Sequence, residues 1–339
     1  MESREVISDM NYISLNSYLR ERFGCKVYKL AINGGFTCPN RDGKLDTRGC
    51  IFCSGYGSGD FAEDASLPVT EQIERGKLRV AGKMPKRTDM VPAKTGVLEN
   101  RTYNNSKPDI LMTGQDGVML EHTAFEGKYI AYFQAFTNTY APVERLRKLY
   151  MEAIGHPDVV ALSIATRPDC LPEEVIELLS ELNRIKPVWV ELGLQTIHIR
   201  SAEYIRRGYT LSVYDEAVRN LKQRNIDIIT HVILGLPGES RQDMLDTVSY
   251  VGDSGVQGIK LQLLHVIEGT DLADDYRAGA FECMSMEEYV ELIRDCIEIL
   301  PDDIVIHRMT GDGDKRTLIA PMWSADKKKV LNELNKALA

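Results

Sequence analysis

Short apolar, β-branched runs alternate along this chain with stretches whose apolar positions recur every three or four residues. The runs over 27–32, 129–134, 159–164, 188–192, 226–233 and 258–263 read as strands. Helices fill the intervals. Pro172 opens PEEVIELLSELNR, in which Val175, Leu179 and Leu182 share a face. Ser212 and Ser240 stand before VYDEAVRNLKQRN and RQDMLDTVSYV, where N-caps are expected. Such alternation predicts an α/β fold, a parallel sheet with right-handed crossovers. Six units suggest a partial (β/α)6 barrel of the TIM type, although the count also fits a doubly wound sheet.

The alternation stops near Thr270. Ser285 to Glu288 forms a capping box for a helix through Leu300, then comes the apolar run IVIHRM, then a last helix carrying Lys327, Lys328 and Lys329. The expected divisions are an N-terminal segment over 1–24, a core over 25–269 and a small C-terminal extension over 270–339. Residues 84–127 lack periodicity and are rich in polar residues, which reads as an insertion or a lid loop.

The chain has 339 residues, 43% of them hydrophobic and 27% charged, enough for a core of ordinary size. A net charge of −9 argues against a general nucleic-acid coat protein while permitting a local basic patch. No apolar stretch approaches a membrane span, and MESREVISDMNY does not read as a secretory signal, so a cytoplasmic location without a membrane partner is expected.

In that setting, seven cysteines, three of them within sixteen residues, suggest metal binding before disulfides. Cys50 and Cys53 are spaced C-x2-C, and Cys38 precedes them across an eleven-residue loop. Gly34, Gly35, Gly43 and Gly49 allow the backbone to bend round a bulky centre. A structural zinc ion needs four protein ligands, but the first histidine is His122. Cys25 and Cys38 flank a predicted strand and would stand about 20 Å or more apart. Unligated structural thiols would leave the spacing unexplained. Three thiolates without a fourth suit an iron–sulfur cluster with one open iron. Cys25, Cys283 and Cys296 read as core or surface thiols, and Cys170 follows a strand end where barrel active sites lie.

The pattern Cys50-Ile51-Phe52-Cys53 resembles the cluster loop of the radical S-adenosylmethionine (SAM) superfamily. With AYFQAFTNTYAPVERL, TRPDCLPEEV, VELGLQTIH, HVILGLPGE, IKLQLLHVIEGTDL, VIHRMTGD and LIAPMWS, the chain is similar to the YhcC/YtqA-like family, relatives of the catalytic subunit of Elongator. The resemblance implies a partial (β/α)6 barrel with a [4Fe–4S] cluster on Cys38, Cys50 and Cys53, and SAM on the open iron. It implies an enzyme that cleaves SAM reductively, with an electron donor such as flavodoxin or ferredoxin.

By the same resemblance Gln134, Thr137 and Asn138 stand where a glycine-rich motif receives the methionyl amine, although its usual glycines are absent. Gln195 and Arg207 match a Gln and an Arg twelve residues apart in related enzymes, the Arg pairing with the SAM carboxylate. Glu191 and His231 are placed to reach the ribose or the amine. Leu234 and Gly235 open a turn against which adenine packs, with Phe52 as a neighbour. His265 faces adenine or substrate. Plainer readings stand beside these: a paired barrel carboxylate for Glu191, a core histidine for His231, a solvated helix-end pair for Arg206 and Arg207, and core filler for Phe52.

Relatives in the Elongator branch modify the wobble uridine of tRNA, so tRNA is the substrate the resemblance implies, through a 5-substituent on that base. Arg308, Lys315, Arg316 and Lys327 to Lys329 add local positive charge. A solvated surface helix explains that charge equally well. His307, Arg308 and Asp312 are the expected substrate contacts. Action on a small molecule, or a non-catalytic iron–sulfur or zinc scaffold, are the alternatives.

Overall fold

The computed structural model describes residues 12–57, 59, 62–82, 127–311 and 315–338. Apart from residue 127, the expected insertion or lid lies outside them, as does Asp312. The strands are β1 (Ile13–Ser14), β2 (Val27–Ile32), β3 (Lys128–Phe133), β4 (Val159–Thr166), β5 (Val188–Gln195), β6 (Asp227–Leu234), β7 (Gly258–Leu263), β8 (Val266–Ile267), β9 (Val305–Arg308) and β10 (Leu318–Ala320). Between and after them run α1 (Leu15–Phe23), α2 (Val69–Ala81), α3 (Val143–Gly155), α4 (Glu173–Asn183), α5 (Ile199–Tyr204), α6 (Leu211–Gln223), α7 (Arg241–Asp253), α8 (Asp271–Arg277), α9 (Met286–Ile299) and α10 (Lys327–Leu338).

Eight strands form one sheet in the order β1-β9-β7-β6-β5-β4-β3-β2, and every pairing in it is parallel. From β2 to β7 spatial order follows chain order without reversal, which excludes the doubly wound alternative. The sheet is strongly curled. Lys260 on β7 donates to the Tyr132 hydroxyl on β3 across 3.0 Å. Four strand spacings on a flat sheet would separate those positions by about 19 Å. The six-strand partial barrel expected from the sequence is therefore present, extended at one edge by β9 and β1.

Its interior is layered, as period-2 alternation on curled parallel strands requires. Val27, Ile130, Ala161, Trp189 and Ile229 form an apolar plug at one end, closed by Leu19 of α1 and the neighbouring Tyr18, Phe23 and Cys25. Two residues further along each strand come Lys29, Tyr132, Ser163, Glu191 and His231, with Lys260 opposite His231. The outer sheet face is largely apolar and packs on the helices, with Phe133, Leu162, Val190 and Val232 all inaccessible.

Helix starts follow the expected chemistry with one correction. Ser240 and Ser285 each cap a helix in full capping boxes with Asp243 and Glu288. Ser212 does not cap α6. The extended backbone of Thr210 makes it the N-cap, and Ser212 lies inside the first turn with its hydroxyl 2.8 Å from that of Thr210. The run IVIHRM forms β9, which pairs with β7 and so joins the extension to the barrel sheet. No helix among the described residues is long and apolar enough to cross a membrane.

Leu162 is fully buried between sheet and helices. Leu162→Ala should lower the unfolding free energy by about 2–5 kcal/mol, read by denaturant titration. The exposed Leu45→Ala should change it by less than about 0.5 kcal/mol.

Candidate active site

The three clustered cysteines sit on a loop that follows β2 and has little regular structure of its own, so outside contacts hold it. After Cys38 the chain turns back, with the Arg41 and Asp42 amides donating to the Cys38 carbonyl at 2.8 and 3.2 Å. The two arms join where the Gly49 amide donates to the Asn40 carbonyl at 2.7 Å. Cys50 to Cys53 closes a tight turn, the Cys53 amide donating to the Cys50 carbonyl at 3.0 Å. Ile51 is buried among Ile205, Ile233 and Leu236, and its backbone bonds the Ile205 carbonyl and the Leu272 amide. The Arg41 guanidinium clamps the second arm through the carbonyls of Cys53 and Ser54, at 2.9 and 2.8 Å. Gly49 has φ +81°, a left-handed conformation that favours glycine.

Cys38, Cys50 and Cys53 all line one cleft at the mouth of the barrel. Among the described residues, the only His, Cys, Asp and Glu group with ligand atoms all within 4.8 Å of one another is Glu74, His156 and Asp158. The three sulfurs are thus spread wider than one tetrahedral zinc requires, about 3.8 Å between thiolates at a Zn–S distance of about 2.3 Å. Cys50 is half-buried, and the desolvation of its thiol together with the neighbouring Cys53 pushes it up to about 12. A Cys50 thiolate becomes favourable there only when a cation or cluster compensates its charge.

Beneath the cleft lies a polar layer centred on Glu191. Its carboxylate accepts from Lys29 Nζ at 2.6 Å, Ser163 Oγ at 2.6 Å and His231 Nε2 at 2.8 Å, and it also pairs with Lys260. Burial would raise the Glu191 carboxyl, but Lys260, Lys29 and His231 outweigh it and hold the group well below the usual carboxylate range. Burial, reinforced by Lys260, pushes His231 down to about 4. The neutral tautomer with hydrogen on Nε2 satisfies both of its contacts, because Gln262 stands 3.3 Å from Nδ1. Lys260 is likewise lowered by burial.

Of the residues singled out from sequence, Phe52, Gln134, Thr137, Glu191, Gln195, Arg207, His231 and His265 line the cleft with the three cysteines. Gln195 ends β5 with φ +69°, and its buried Oε1 has no partner among the described residues. A non-glycine residue in the left-handed region stores strain, and here it coincides with an unused acceptor in the cleft. Arg207 is not a solvated helix-end residue. It is buried, and Nε and Nη1 donate to the carbonyls of Tyr209, Leu194 and Thr196. Glu191 and His231 combine both of their expected characters, paired in the barrel yet lining the cleft. Asn138, Leu234 and Gly235 do not line it. Asn138 donates to the Ala165 carbonyl at 2.8 Å, Leu234 is core, and Gly235 packs under Met284. Arg308 lines the cleft, whereas half-buried His307 packs edge-on against Trp189. Cys170 lines a separate groove, and Cys25, Cys283 and Cys296 pack in apolar clusters.

The model of the Radical SAM superfamily matches residues 47–251, and that of the Radical_SAM C-terminal domain matches 256–339. This chain belongs to the radical SAM superfamily. The YtqA protein of Bacillus subtilis is 43% identical over 331 residues, covering 98% of this chain and 90% of its own. The YhcC protein of Escherichia coli is 33% identical over 323 residues, covering 94% and 90%. A tRNA uridine(34) acetyltransferase of Methanocaldococcus jannaschii is 31% identical over 156 residues, 45% of this chain and 28% of its own length. Among solved structures, Elp3 of Methanocaldococcus infernus superposes with a TM-score of 0.59 at 17% identity, over 91% of this chain and 63% of that one. The radical SAM family uses a [4Fe–4S] cluster and SAM, and this chain is an enzyme of that family.

Several residues of this radical SAM site escaped the sequence reading. Lys29 and Lys260 each interrupt an apolar strand, and a lysine inside a doubly covered parallel strand signals an interior partner. Arg167 lies in the cleft wall, held by Asp169 at 2.8 and 2.7 Å, and stacks on Tyr209, whose other neighbour is Arg207. Its signal was the motif TRPDC itself.

His231 titrates near 6.5 in the unfolded chain and about 4 in the fold, so the native state binds fewer protons between those values. The stability from its neutral burial is complete above 6.5 and falls as the pH drops toward 4. From pH 7 to pH 5 this group alone should lower the unfolding free energy by about 2 kcal/mol. Denaturant titrations of wild type and His231→Gln at both values check it. An equally steep loss in the variant would disprove the assignment.

Proposed function

We propose that this radical SAM enzyme acts in the cytoplasm on tRNA, at the 5-substituent of a wobble uridine. The observation that carries the reading is that 45% of this chain aligns with a protein named for tRNA uridine-34. Two features of the site agree with it. The cleft is lined by Arg41, Gln134, Glu191, Gln262, His265 and Arg308, which suits a polar base with a polar substituent better than an apolar small molecule. Lys327, Lys328 and Lys329 lie exposed at the start of α10, a local cationic patch on an acidic protein where phosphates can be met.

In this reading Cys38, Cys50 and Cys53 hold the [4Fe–4S] cluster through three irons. The spread of their sulfurs and the lack of a histidine or carboxylate among them fit that group and not zinc. When bound, the cluster would supply the single electron that reductive cleavage of SAM requires. The chain's own residues bind and orient. Arg207 has Nη2 left over for the SAM carboxylate once its other donors are spent on carbonyls. Gln195 offers its unused Oε1 to the methionyl amine, with Gln134 and Thr137 following β3, two strands away in the sheet. Phe52 and His265 flank the adenine. Glu191, kept ionised, fixes Lys29, Lys260 and His231 as a polar floor and closes the barrel to bulk water from below.

Mass spectrometry of nucleosides from total tRNA, with and without the gene, tests the substrate. One 5-substituted wobble uridine should vanish while a precursor accumulates, and identical profiles would sink the tRNA reading. Cys50→Ser should lose both bound iron and that nucleoside. Full modification by an iron-free variant would overturn the cluster assignment.

A further inference from the structure

Asn40 sits inside the cysteine loop, is 1% exposed, and played no part in the reading of the motif. Its side-chain amide nitrogen carries two hydrogens and stands near two acceptors. It donates to the Arg206 carbonyl at 2.6 Å and to the Cys50 sulfur at 3.4 Å. The surroundings keep that amide in place. Arg206 has φ +56°, an unusual left-handed conformation for a branchless cationic residue, and this turns its carbonyl toward the loop. Two residues on, Gly208 has φ +81°, and a Cβ there would stand 3.1 Å from Asn40 Oδ1 and 3.3 Å from Arg167 Nη2. The Asn40 backbone carbonyl is occupied by the Gly49 amide, one residue before Cys50.

As a thiol, Cys50 can itself donate to the Arg206 carbonyl, 3.7 Å away. As a thiolate it has no hydrogen, and sulfur and carbonyl oxygen would repel each other. The Asn40 amide resolves the conflict, with one hydrogen for each acceptor. We propose that Asn40 is a positioning residue for the iron–sulfur cluster, fixing the direction of the Cys50 sulfur and raising the cluster's reduction potential by an N–H···S hydrogen bond. Such bonds stabilise the reduced, more negative cluster more than the oxidised one. The Arg167 guanidinium in the same wall acts in the same sense. The proposal rests on Cys50 being a cluster ligand, as argued above.

The test compares reconstituted wild type with Asn40→Leu, which keeps the shape and removes the donor, and with Asn40→Asp, which replaces the donor by a charge. Iron content and an EPR-monitored redox titration are read on each. Both variants should bind wild-type iron with a midpoint potential shifted negative, Asp further than Leu. A fully loaded Asn40→Leu with the wild-type potential would overturn the proposal. If the variants load poorly, the melting temperature of the apo-protein decides. Wild-type melting with poor loading supports a role toward the cluster, and an equally lowered apo melting temperature overturns it by placing the role in the fold. Wild type that takes up no iron refutes the cysteine assignment itself, and the proposal with it.

Discussion

Glu191 accepts hydrogen bonds or ion pairs from Lys29, Ser163, His231 and Lys260, four residues on four strands, in a place water does not reach. A carboxylate taken out of water costs several kcal/mol, and only close, well-aligned cations can offset that. Here two lysines approach from β2 and β7, opposite ends of the six-strand run, and they can meet one side chain only if the sheet curls. The ion cluster and the half-barrel thus require each other. Removal of either partner would strand a charge in the interior.

That polar layer divides the barrel into two parts with different physics. Below it, Trp189 and its apolar neighbours meet α1 and form an ordinary close-packed plug. Above it, the side chains at the strand ends leave an open cleft, and the cysteine loop forms its rim. Burial, reinforced by Lys260, lowers the proton affinity of His231. His231 is therefore held neutral as a hydrogen-bonding group and does not become a third buried charge.

The rim has almost no secondary structure, yet it is held in many places. Arg41 binds the carbonyls after Cys53, Arg206 reaches the Gly49 carbonyl and pairs with Asp271, and Ile51 is buried between α5 and α8. Each of these contacts comes from a part of the chain distant from the cysteines, or from a side chain that points back on its own loop. The direction of the thiols is therefore a property of the folded C-terminal half as much as of the loop.

The sequence by itself determined the six strands from β2 to β7, because apolar β-branched runs are local. The N-cap at Ser240, the capping box at Ser285 and the three-cysteine spacing were legible for the same reason: each is a pattern within a few residues whose chemistry admits few partners. Only the tertiary structure decided that Lys29 and Lys260 converge on Glu191, across 162 and 69 residues of chain. It alone decided that IVIHRM joins the barrel sheet, that Arg207 is buried on carbonyls, and that Asn40 meets the Cys50 sulfur beside a carbonyl 166 residues away. Charge pairing and hydrogen bonding act through space over a few ångströms, whereas a linear pattern records only neighbours along the chain. A lysine in a strand reveals that it needs a partner, and closure of the barrel determines which one.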